Sequence, residues 1–244
     1  MKKSTLVFTI AIGVDYAHLT VPYIRAYAER IGADFILVDT LSIFPDSTSC
    51  MAAAWEKFRY YDYLARYTRV LFIDADILVR KDCPNLFDIV EPDKIGMVNE
   101  ITSARQWGNL LRPRAEISFP SVERMERVAA FYHTDPPDLR WSLDHHYNSG
   151  VIVASQCHRD FFAPPERKYV EGTPWDQSVV NLRLGTRAGI AVQDLPYTFN
   201  HTRYPAIRTP VPRRNSYLLH YNVAPKTVAA IAADIEAWKK MGKL

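Results

Sequence analysis

Two aspartates, Asp74 and Asp76, stand between two apolar runs and are the strongest candidates for chemistry in this sequence. Val70–Ile73 precedes them and has the composition of a buried strand. Side chains two positions apart in an extended segment point the same way, so both carboxylates can approach one cation. Like charges in apolar surroundings are unfavourable unless a cation or a strong donor neutralises them, which predicts a hard divalent cation. The alternative is a pair of turn acids at a strand end, because this spacing alone is common.

The elements that position these aspartates alternate along the first hundred residues. Leu6–Ile12 and Asp34–Val38 are predicted strands, and apolar residues at helical spacing between them predict a helix that closes near Gly32. A second helix is expected over about 52–66, before the strand that leads to the aspartates, and Ile95–Val98 is a further strand candidate. This order predicts an α/β fold with a mostly parallel sheet flanked by helices. Ligands of such sheets bind at the carboxyl ends of the strands, where the two aspartates lie.

The remainder of the chain is less regular. A short helix is predicted from Val122 to Ala129, a strand over Val151–Val153 and a helix over Trp175–Leu182. Residues 196–214 hold four prolines and five basic side chains, which predicts a loop. Tyr217–Tyr221 is predicted as the last strand, and an amphipathic helix follows it. Since no Gly- or Ser-rich linker divides the chain, we expect a single domain over residues 1–244.

Composition narrows the classes of partner. The net charge of +3 is too small to favour nucleic acid, although a small anionic ligand fits it. No apolar run approaches the ~18–20 residues of a transmembrane helix, and the apolar start of the chain lacks a signal-peptide cleavage site. Three widely spaced cysteines without a CxxC pair favour a reducing compartment. We expect a cytoplasmic protein, with peripheral membrane association left open and no prediction of oligomeric state.

Five segments, in the same order along the chain, resemble family eight of the glycosyltransferases, which includes glycogenin and bacterial lipopolysaccharide galactosyltransferases. They are the run TIAIGVDYA at 9–17, the helix-to-strand stretch from WEKF to CPNLF at 55–87, Tyr147–Val153, Trp175–Asn181, and Leu219-His220-Tyr221 with Lys226. The resemblance implies a GT-A fold, a Rossmann-like fold that binds nucleotide-diphospho-sugars. It also implies a nucleotide-sugar half over about 1–100 and an acceptor half over about 101–244, which contains the late metal ligand and the C-terminal helix.

The resemblance also implies a metal and diphosphate site. Asp74, Asp76 and His220 would hold Mn²⁺, with Mg²⁺ possible, since two carboxylates and one imidazole suit these ions. Ala75 is carried over with the donor-binding residues, and Lys57 and Lys226 would contact the donor and its leaving diphosphate. From the residues alone, a solvated lysine beside Glu56 is the favoured interpretation of Lys57, and a hydrogen-bonded structural residue is the more common role of a histidine placed like His220 at a strand end.

The resemblance assigns the base and the sugar to further residues. Tyr16 would stack on the uracil, and Thr9, Ile10 and Ile12 would form the wall of that site; a packed core tyrosine is the alternative. The residues implied to contact the sugar are Asn148, Ser149, Gly150 and the weaker candidate Asp144. Asp176 and Gln177 would face the reacting carbon of the sugar as the catalytic pair, although Asp176 at a helix start also suits a cap.

The function implied is metal-dependent transfer of a hexosyl group, glucose or galactose, from a UDP-sugar to a carbohydrate or glycolipid acceptor. Retention of configuration is implied, and a same-face reaction is favoured over double displacement because Gln177 is a poor nucleophile. The basic loop over 201–214 would close over the diphosphate or meet an anionic acceptor, or is simply solvated. Aromatic and imidazole side chains near the middle of the chain are candidate acceptor platforms: Trp107, Tyr132, Trp141, His145 and His146.

Two other classes of protein fit the DxD spacing. A haloacid-dehalogenase-like phosphohydrolase also places DxD after an apolar strand, but it prefers Thr or Val where this chain has Leu78. A non-catalytic nucleotide-sugar-binding protein is the second, because a fold does not fix a function.

Overall fold

The computed structural model describes residues 3–47, 52–106, 122–168, 175–187, 189–202, 211–222 and 228–244. The strands are β1 Lys3–Ile10, β2 Asp34–Val38, β3 Tyr67–Ile73, β4 Ile77–Val79, β5 Lys94–Asn99, β6 Tyr147–Ser155, β7 Ala191–Asp194 and β8 Leu218–His220. The α-helices are α1 Ala17–Arg30, α2 Tyr60–Arg66, α3 Leu86–Ile89, α4 Glu100–Gln106, α5 Val122–Phe131, α6 Leu139–Asp144, α7 Trp175–Thr186 and α8 Val228–Lys240. Short 3₁₀ helices span Ala52–Arg59, Gln156–Phe162, Tyr197–Phe199 and Arg213–Asn215.

Six of the strands form one sheet in the order β2-β1-β3-β6-β5-β7. The pairs β1–β2, β1–β3 and β5–β7 are parallel, and β6 is antiparallel to both of its neighbours. The predicted mostly parallel α/β sheet is therefore confirmed, with one reversed strand at its centre. All nine residues of β6 are buried, because neighbours cover it on both edges and both faces.

Apolar cores cover both faces of this sheet. Consecutive residues of a strand point to opposite faces, so Phe8 and Phe72 belong to one core and Val7 and Leu71 to the other. This packing explains why β1 and β3 read as nearly continuous apolar runs. None of the helices in the described parts of the chain is long and apolar enough to cross a membrane.

A separate two-stranded sheet lies beside the end of β3. It pairs β4 with β8 in antiparallel fashion, and Ile77 stands opposite His220. The C-terminal helix α8 packs against this pair through a third apolar cluster, which includes the fully buried Trp238. Although β8 is about 140 residues from β4 in sequence, this pairing brings the segment after Asp76 next to His220.

Several elements differ from the sequence-based expectation. The helix expected over 52–66 begins as a 3₁₀ helix at Ala52–Arg59 and becomes α-helical only at Tyr60. The first strand ends at Ile10, two residues before its predicted end, and the last strand is shortened to Leu218–His220. The short strands β4 and β7 lacked the length or the alternation that would have distinguished them from loops. Of the predicted loop over 196–214, residues 203–210 lie outside the described chain.

Candidate metal centre and the residues around it

Asp74, Asp76 and His220 come together at the carboxyl end of β3. Each offers one ligand atom, and these atoms all lie within 4.8 Å of one another. The Nε2 atom of His220 is 3.1 Å from Asp76 Oδ1 and 3.7 Å from Asp74 Oδ2. Two carboxylates and an imidazole are a donor set that suits a divalent cation of the Mn²⁺ or Mg²⁺ type. In the described parts of the chain, no other group of three such side chains has a geometry that could hold a metal ion.

The side chain of His220 is oriented by a chain of amides. Its Nδ1 lies 2.8 Å from Oδ1 of Asn200, and Asn200 in turn donates its amide N–H to Asn148 Oδ1 at 2.7 Å. Because the Asn200 oxygen can only accept, Nδ1 of His220 carries the proton. The lone pair is then on Nε2, which faces the two aspartates. A ligating histidine is commonly fixed in this way by a partner on its other ring nitrogen, so the local chemistry fits a metal ligand.

Gly150 on β6 leaves the space that this imidazole occupies. A Cβ at this position would overlap His220 Cε1 and lie 2.8 Å from its Nδ1. The carbonyl oxygen of Gly150 accepts a hydrogen bond of 2.8 Å from the backbone N–H of Asp74, and its own N–H donates to Asn148 Oδ1. Glycine at position 150 therefore allows β3, β6 and His220 to approach one another closely.

Lys57 lies in the 3₁₀ helix Ala52–Arg59 and links two carboxylates. Its Nζ is 2.8 Å from Asp176 Oδ2 and 3.3 Å from Asp74 Oδ1, and it donates to Ser149 Oγ at 3.1 Å. The side chain is almost fully buried, so the alternative of a solvated lysine is wrong. Burial lowers the pKa of Lys57, but the charges of Asp176 and then Asp74 outweigh it, and the pKa is raised. Burial also raises the pKa of Asp74, against the pull of Lys57.

Asp176 and Gln177, in the first turn of α7, face the polar residues of β6. Asp176 Oδ2 accepts from Ser149 Oγ at 2.8 Å, and Gln177 Oε1 accepts from the backbone N–H of Ser149 at 3.1 Å. Both are buried. Asp176 is thus bound by Ser149 and Lys57 within the cluster. The structure places this pair beside Asp74, with Lys57 as the bridge.

A residue that sequence reasoning missed, Glu100, lies on the other side of Asn148. It accepts from Asn148 Nδ2 at 3.2 Å, and its other oxygen is 3.4 Å from His146 Nε2, which in turn is 2.8 Å from Gln177 Nε2. Burial raises the pKa of Glu100 to about 7, despite the opposing effects of His220 and Asn148. Burial, with Arg124 nearby, lowers the pKa of His146 to about 3, so the contact between them is not an ion pair at neutral pH. The sequence did contain a signal for Glu100, because it is an acidic residue that directly follows the strand Lys94–Asn99.

The residues predicted to surround the base lie at the end of β1 and the start of α1. Thr9 is fully buried, and its Oγ1 has no hydrogen-bond partner among the described residues. Tyr16 packs against the third apolar cluster, which joins α8 to β4 and β8. Its pKa is raised by burial and then by the charges of Asp76 and Asp74. Ile10 and Ile12 are half-buried beside the first core. Ala75 is buried, and its carbonyl accepts from Thr20 Oγ1, which ties α1 to the loop between the two aspartates.

The other predicted residues include His146, which contacts Gln177, and residues that lie apart from this cluster or outside the described chain. Asp144 ends α6, and its backbone carbonyl accepts from Asn99 Nδ2 at 3.2 Å. His145 stacks on Trp141, with ring centroids 5.0 Å apart, whereas His146 is buried against Gln177. Lys226 and Trp107 lie outside the described residues, as do the basic loop residues Arg203 and Arg208. The remaining arginines of that loop, Arg213 and Arg214, both pair with Asp234 on α8, and His201 is buried against Ser216.

Three solved glycosyltransferases share this fold. The chain is similar to a glycosyltransferase involved in glycosylating the major capsid protein of PBCV-1, with 13% identity, a TM-score of 0.60 and coverage of 96% of this chain and 99% of that one. It is also similar to the galactosyltransferase LgtC, solved with donor and acceptor sugar analogues, with 15% identity, a TM-score of 0.51 and coverage of 98% and 100%. The third similar structure is the bifunctional glycosyltransferase WbbM, with 14% identity and a TM-score of 0.61. This match covers 98% of the present chain and 51% of WbbM. The fold is the GT-A fold of these enzymes.

The family model described as Glycosyl transferase family 8 matches residues 15–155, which is more than half of the chain. The chain belongs to this family and is a glycosyltransferase, and the resemblance inferred from the five segments is confirmed. No curated protein matches the sequence. Family membership argues against the phosphohydrolase alternative, in which the same DxD spacing would serve a different reaction.

Proposed function

We propose that this glycosyltransferase moves a hexosyl group, glucose or galactose, from a UDP-sugar to a carbohydrate or glycolipid acceptor, with Mn²⁺ held by Asp74, Asp76 and His220. The observation that carries the proposal is the Asp-Asp-His group, in which Asp76 and His220 are buried and the imidazole is fixed by Asn200. It stands at the carboxyl end of β3, where ligands of α/β sheets bind. A divalent cation in this group supplies charge stabilisation for the diphosphate as it leaves.

The base site proposed for the uracil rests on Thr9 and Tyr16. Thr9 Oγ1 is buried and lacks a partner among the described residues, and such a group is costly unless a ligand or water satisfies it. Tyr16 is half-buried and close enough to Asp76 and Asp74 for their charges to shift its pKa. A uracil stacked on this ring would belong to a donor whose diphosphate reaches the metal group. Ile10 and Ile12 would close the apolar side of this site.

The sugar of the donor is proposed to lie over β6 and the start of α7. Asn148, Ser149 and Asp176 would bind its hydroxyls, and Gly150 would allow it to approach the backbone. Lys57 would orient Asp176 through their ion pair and contribute positive charge near the diphosphate. Lys226 is proposed to act on the diphosphate from the late segment, and Asp144 stays a weaker sugar contact.

Retention of configuration is proposed to occur on one face of the sugar. A double displacement needs a free carboxylate at the anomeric carbon. Asp176 is engaged by Lys57 and Ser149, which lowers its nucleophilicity, and the amide oxygen of Gln177 accepts from the backbone of Ser149. Proton NMR of the first product formed would test this step. The α-anomer from an α-linked donor is expected, and an inverted product would contradict it.

The acceptor is proposed to enter over the second half of the chain. Trp141, His145 and Tyr147 form a stacked series of rings, with centroids 5.0 and 5.8 Å apart between successive members. Flat rings of this kind are suited to stacking on a sugar face.

A cytoplasmic location is part of the proposal, and the free thiols of Cys83 and the exposed Cys157 support it.

Titration calorimetry with UDP, GDP and ADP, each with Mn²⁺ or with EDTA, tests the donor site. UDP is expected to bind most tightly, and only when Mn²⁺ is present. Asp76→Asn should abolish this binding, whereas Asp135→Asn, which removes an exposed carboxylate in the turn after α5, should leave it unchanged. Equal binding of UDP in EDTA, or in the Asp76 variant, would contradict the proposal.

A further inference from the structure

The C-terminal helix α8 lies directly behind the strands that carry the metal group. Leu78 follows Asp76 in β4, Leu219 precedes His220 in β8, and both belong to one buried cluster with Ile231, Ile235 and Trp238 of α8. Since Tyr16 packs on the same cluster, α8 contacts the supports of both the proposed metal site and the proposed base site.

Asp234 is the polar centre of this contact. Its side chain is 11% exposed, and it accepts from three donors at 2.9 Å each: Arg213 Nη1, Arg214 Nε and Tyr221 Oη. Such a carboxylate, bound by two guanidinium groups and a phenol, is held in one position. The three donors all belong to the segment that surrounds β8, so Asp234 fixes that segment to α8.

Arg213 carries this constraint to the metal ligand itself. While its Nη1 binds Asp234, its Nη2 donates to the backbone carbonyl of His220 at 3.1 Å, and its guanidinium lies over the ring of Tyr221, 4.5 Å from the centroid. On the other side, the backbone N–H of Tyr221 donates to the carbonyl of Asp76 at 3.0 Å. The peptide between His220 and Tyr221 is therefore held between Asp76 and Arg213.

From these contacts we infer that Asp234 and Arg213 are positioning residues of the metal centre, which fix the main chain of His220 so that its imidazole meets the cation together with Asp74 and Asp76. This inference rests on the proposed metal site. The charge of Asp234 has a second effect, because it pairs with the Arg213 guanidinium that contacts the main chain of His220. The two arginines are thereby assigned to the site's support, and not to a free basic loop that meets the diphosphate.

Measuring Mn²⁺ binding in the absence of nucleotide separates this role from a merely structural one. The EPR signal of free Mn²⁺ reports how much of the ion remains unbound. Asp234→Asn is expected to weaken Mn²⁺ binding by about 10–100-fold, the range found when an outer-shell partner of a metal ligand is lost, because Arg213 would no longer be fixed against the His220 carbonyl. Arg213→Lys keeps the positive charge near Asp234 but loses the forked geometry, so it cannot bind Asp234 and the His220 carbonyl at once. We expect the lysine variant to lose about tenfold in affinity with little change in melting temperature.

Glu236→Gln is the matched control, since it removes an exposed carboxylate from the same helix, where Glu236 pairs with the exposed Lys239. Its Mn²⁺ affinity should equal that of the unaltered chain. Affinities of Asp234→Asn and Arg213→Lys within twofold of the unaltered chain would overturn the inference while leaving the proposed function intact. If Asp234→Asn does not fold, the result for Arg213→Lys decides. Absence of Mn²⁺ binding by the unaltered chain would contradict the proposed function, and the inference with it.

Discussion

Lys57 provides the sharpest test of the site's electrostatics, because it bridges Asp74 and Asp176. Lys57→Met keeps most of the side-chain volume and removes the charge. Asp176 is nearly fully buried, so it would lose its only ion pair among the described contacts, whereas Asp74 is about a quarter exposed and is better solvated. We therefore expect the cost to come mainly from Asp176.

Breaking a buried ion pair by removing one partner costs about 3–5 kcal/mol. For a chain of this length each kcal/mol lowers the melting temperature by about 2–4 °C, so a fall of roughly 10 °C is expected in EDTA. The same substitution should have the opposite effect on Mn²⁺ binding, which it should strengthen. Since Lys57 repels a cation bound by Asp74, Lys57→Met should bind Mn²⁺ more tightly, and added Mn²⁺ should raise its melting temperature more than that of the unaltered chain.

Thermal unfolding in EDTA and in a series of Mn²⁺ concentrations measures both effects. The matched control is Lys94→Met, because Lys94 pairs with Glu91 at the surface, where such pairs contribute little to stability. The double variant Lys57→Met with Asp176→Asn should recover part of the loss, since it removes the unpaired charge. Two results would contradict this expectation. One is that Lys57→Met and the unaltered chain have the same melting temperature in EDTA, and the other is that Mn²⁺ raises the two melting temperatures equally.

Two further predictions concern Glu100 and Gly150. Because the pKa of Glu100 is raised from 4.5 to about 7 on folding, its contribution to stability is present at acid pH and is lost as the pH rises through this range. The stability of the unaltered chain should therefore fall relative to that of Glu100→Gln as the pH rises, by up to about 3 kcal/mol of unfolding free energy between acid pH and pH above 7. Urea unfolding of both proteins in EDTA over this pH range measures the difference. Parallel curves of stability against pH would contradict the prediction. Gly150→Ala should weaken Mn²⁺ binding at least about tenfold by displacing His220. Gly96→Ala, whose Cβ would collide with Val90, should cost about 1–3 kcal/mol in stability and leave the Mn²⁺ affinity unchanged. Equal Mn²⁺ affinities in the two alanine variants would show that Gly150 has no such role.

The aspartates could be predicted from sequence because two signals coincide there. An apolar run of strand composition leads into Asp74, and the spacing to Asp76 places both acids on one side. The strand before them, the helix α1 and the strand β2 follow equally clear patterns of apolar residues. His220 required the family resemblance, since nothing in the sequence indicates that β8, which carries it, pairs with β4 next to Asp76.

The residues that support the site could not be predicted in the same way. Asn200 and Asp234 act through contacts with residues 20 and 13–21 positions away, and nothing in their immediate sequence indicates which side chains they meet. The burial of Lys57 depends on how the 3₁₀ helix packs against β6, which helical periodicity alone does not define. Long-range polar contacts of this kind are determined by the tertiary structure.

The central claim is that the Asp-Asp-His group serves transfer from a UDP-sugar, and release of UDP tests it most directly. UDP release from UDP-glucose and UDP-galactose would be followed with Mn²⁺ and with EDTA, using the unaltered chain, Asp76→Asn and Asp135→Asn. The account predicts Mn²⁺-dependent release from one of the two donors by the unaltered chain and by Asp135→Asn, and a loss of at least about 10²-fold in Asp76→Asn, as expected when a main source of charge stabilisation is removed. Release that persists in EDTA or in Asp76→Asn would contradict it.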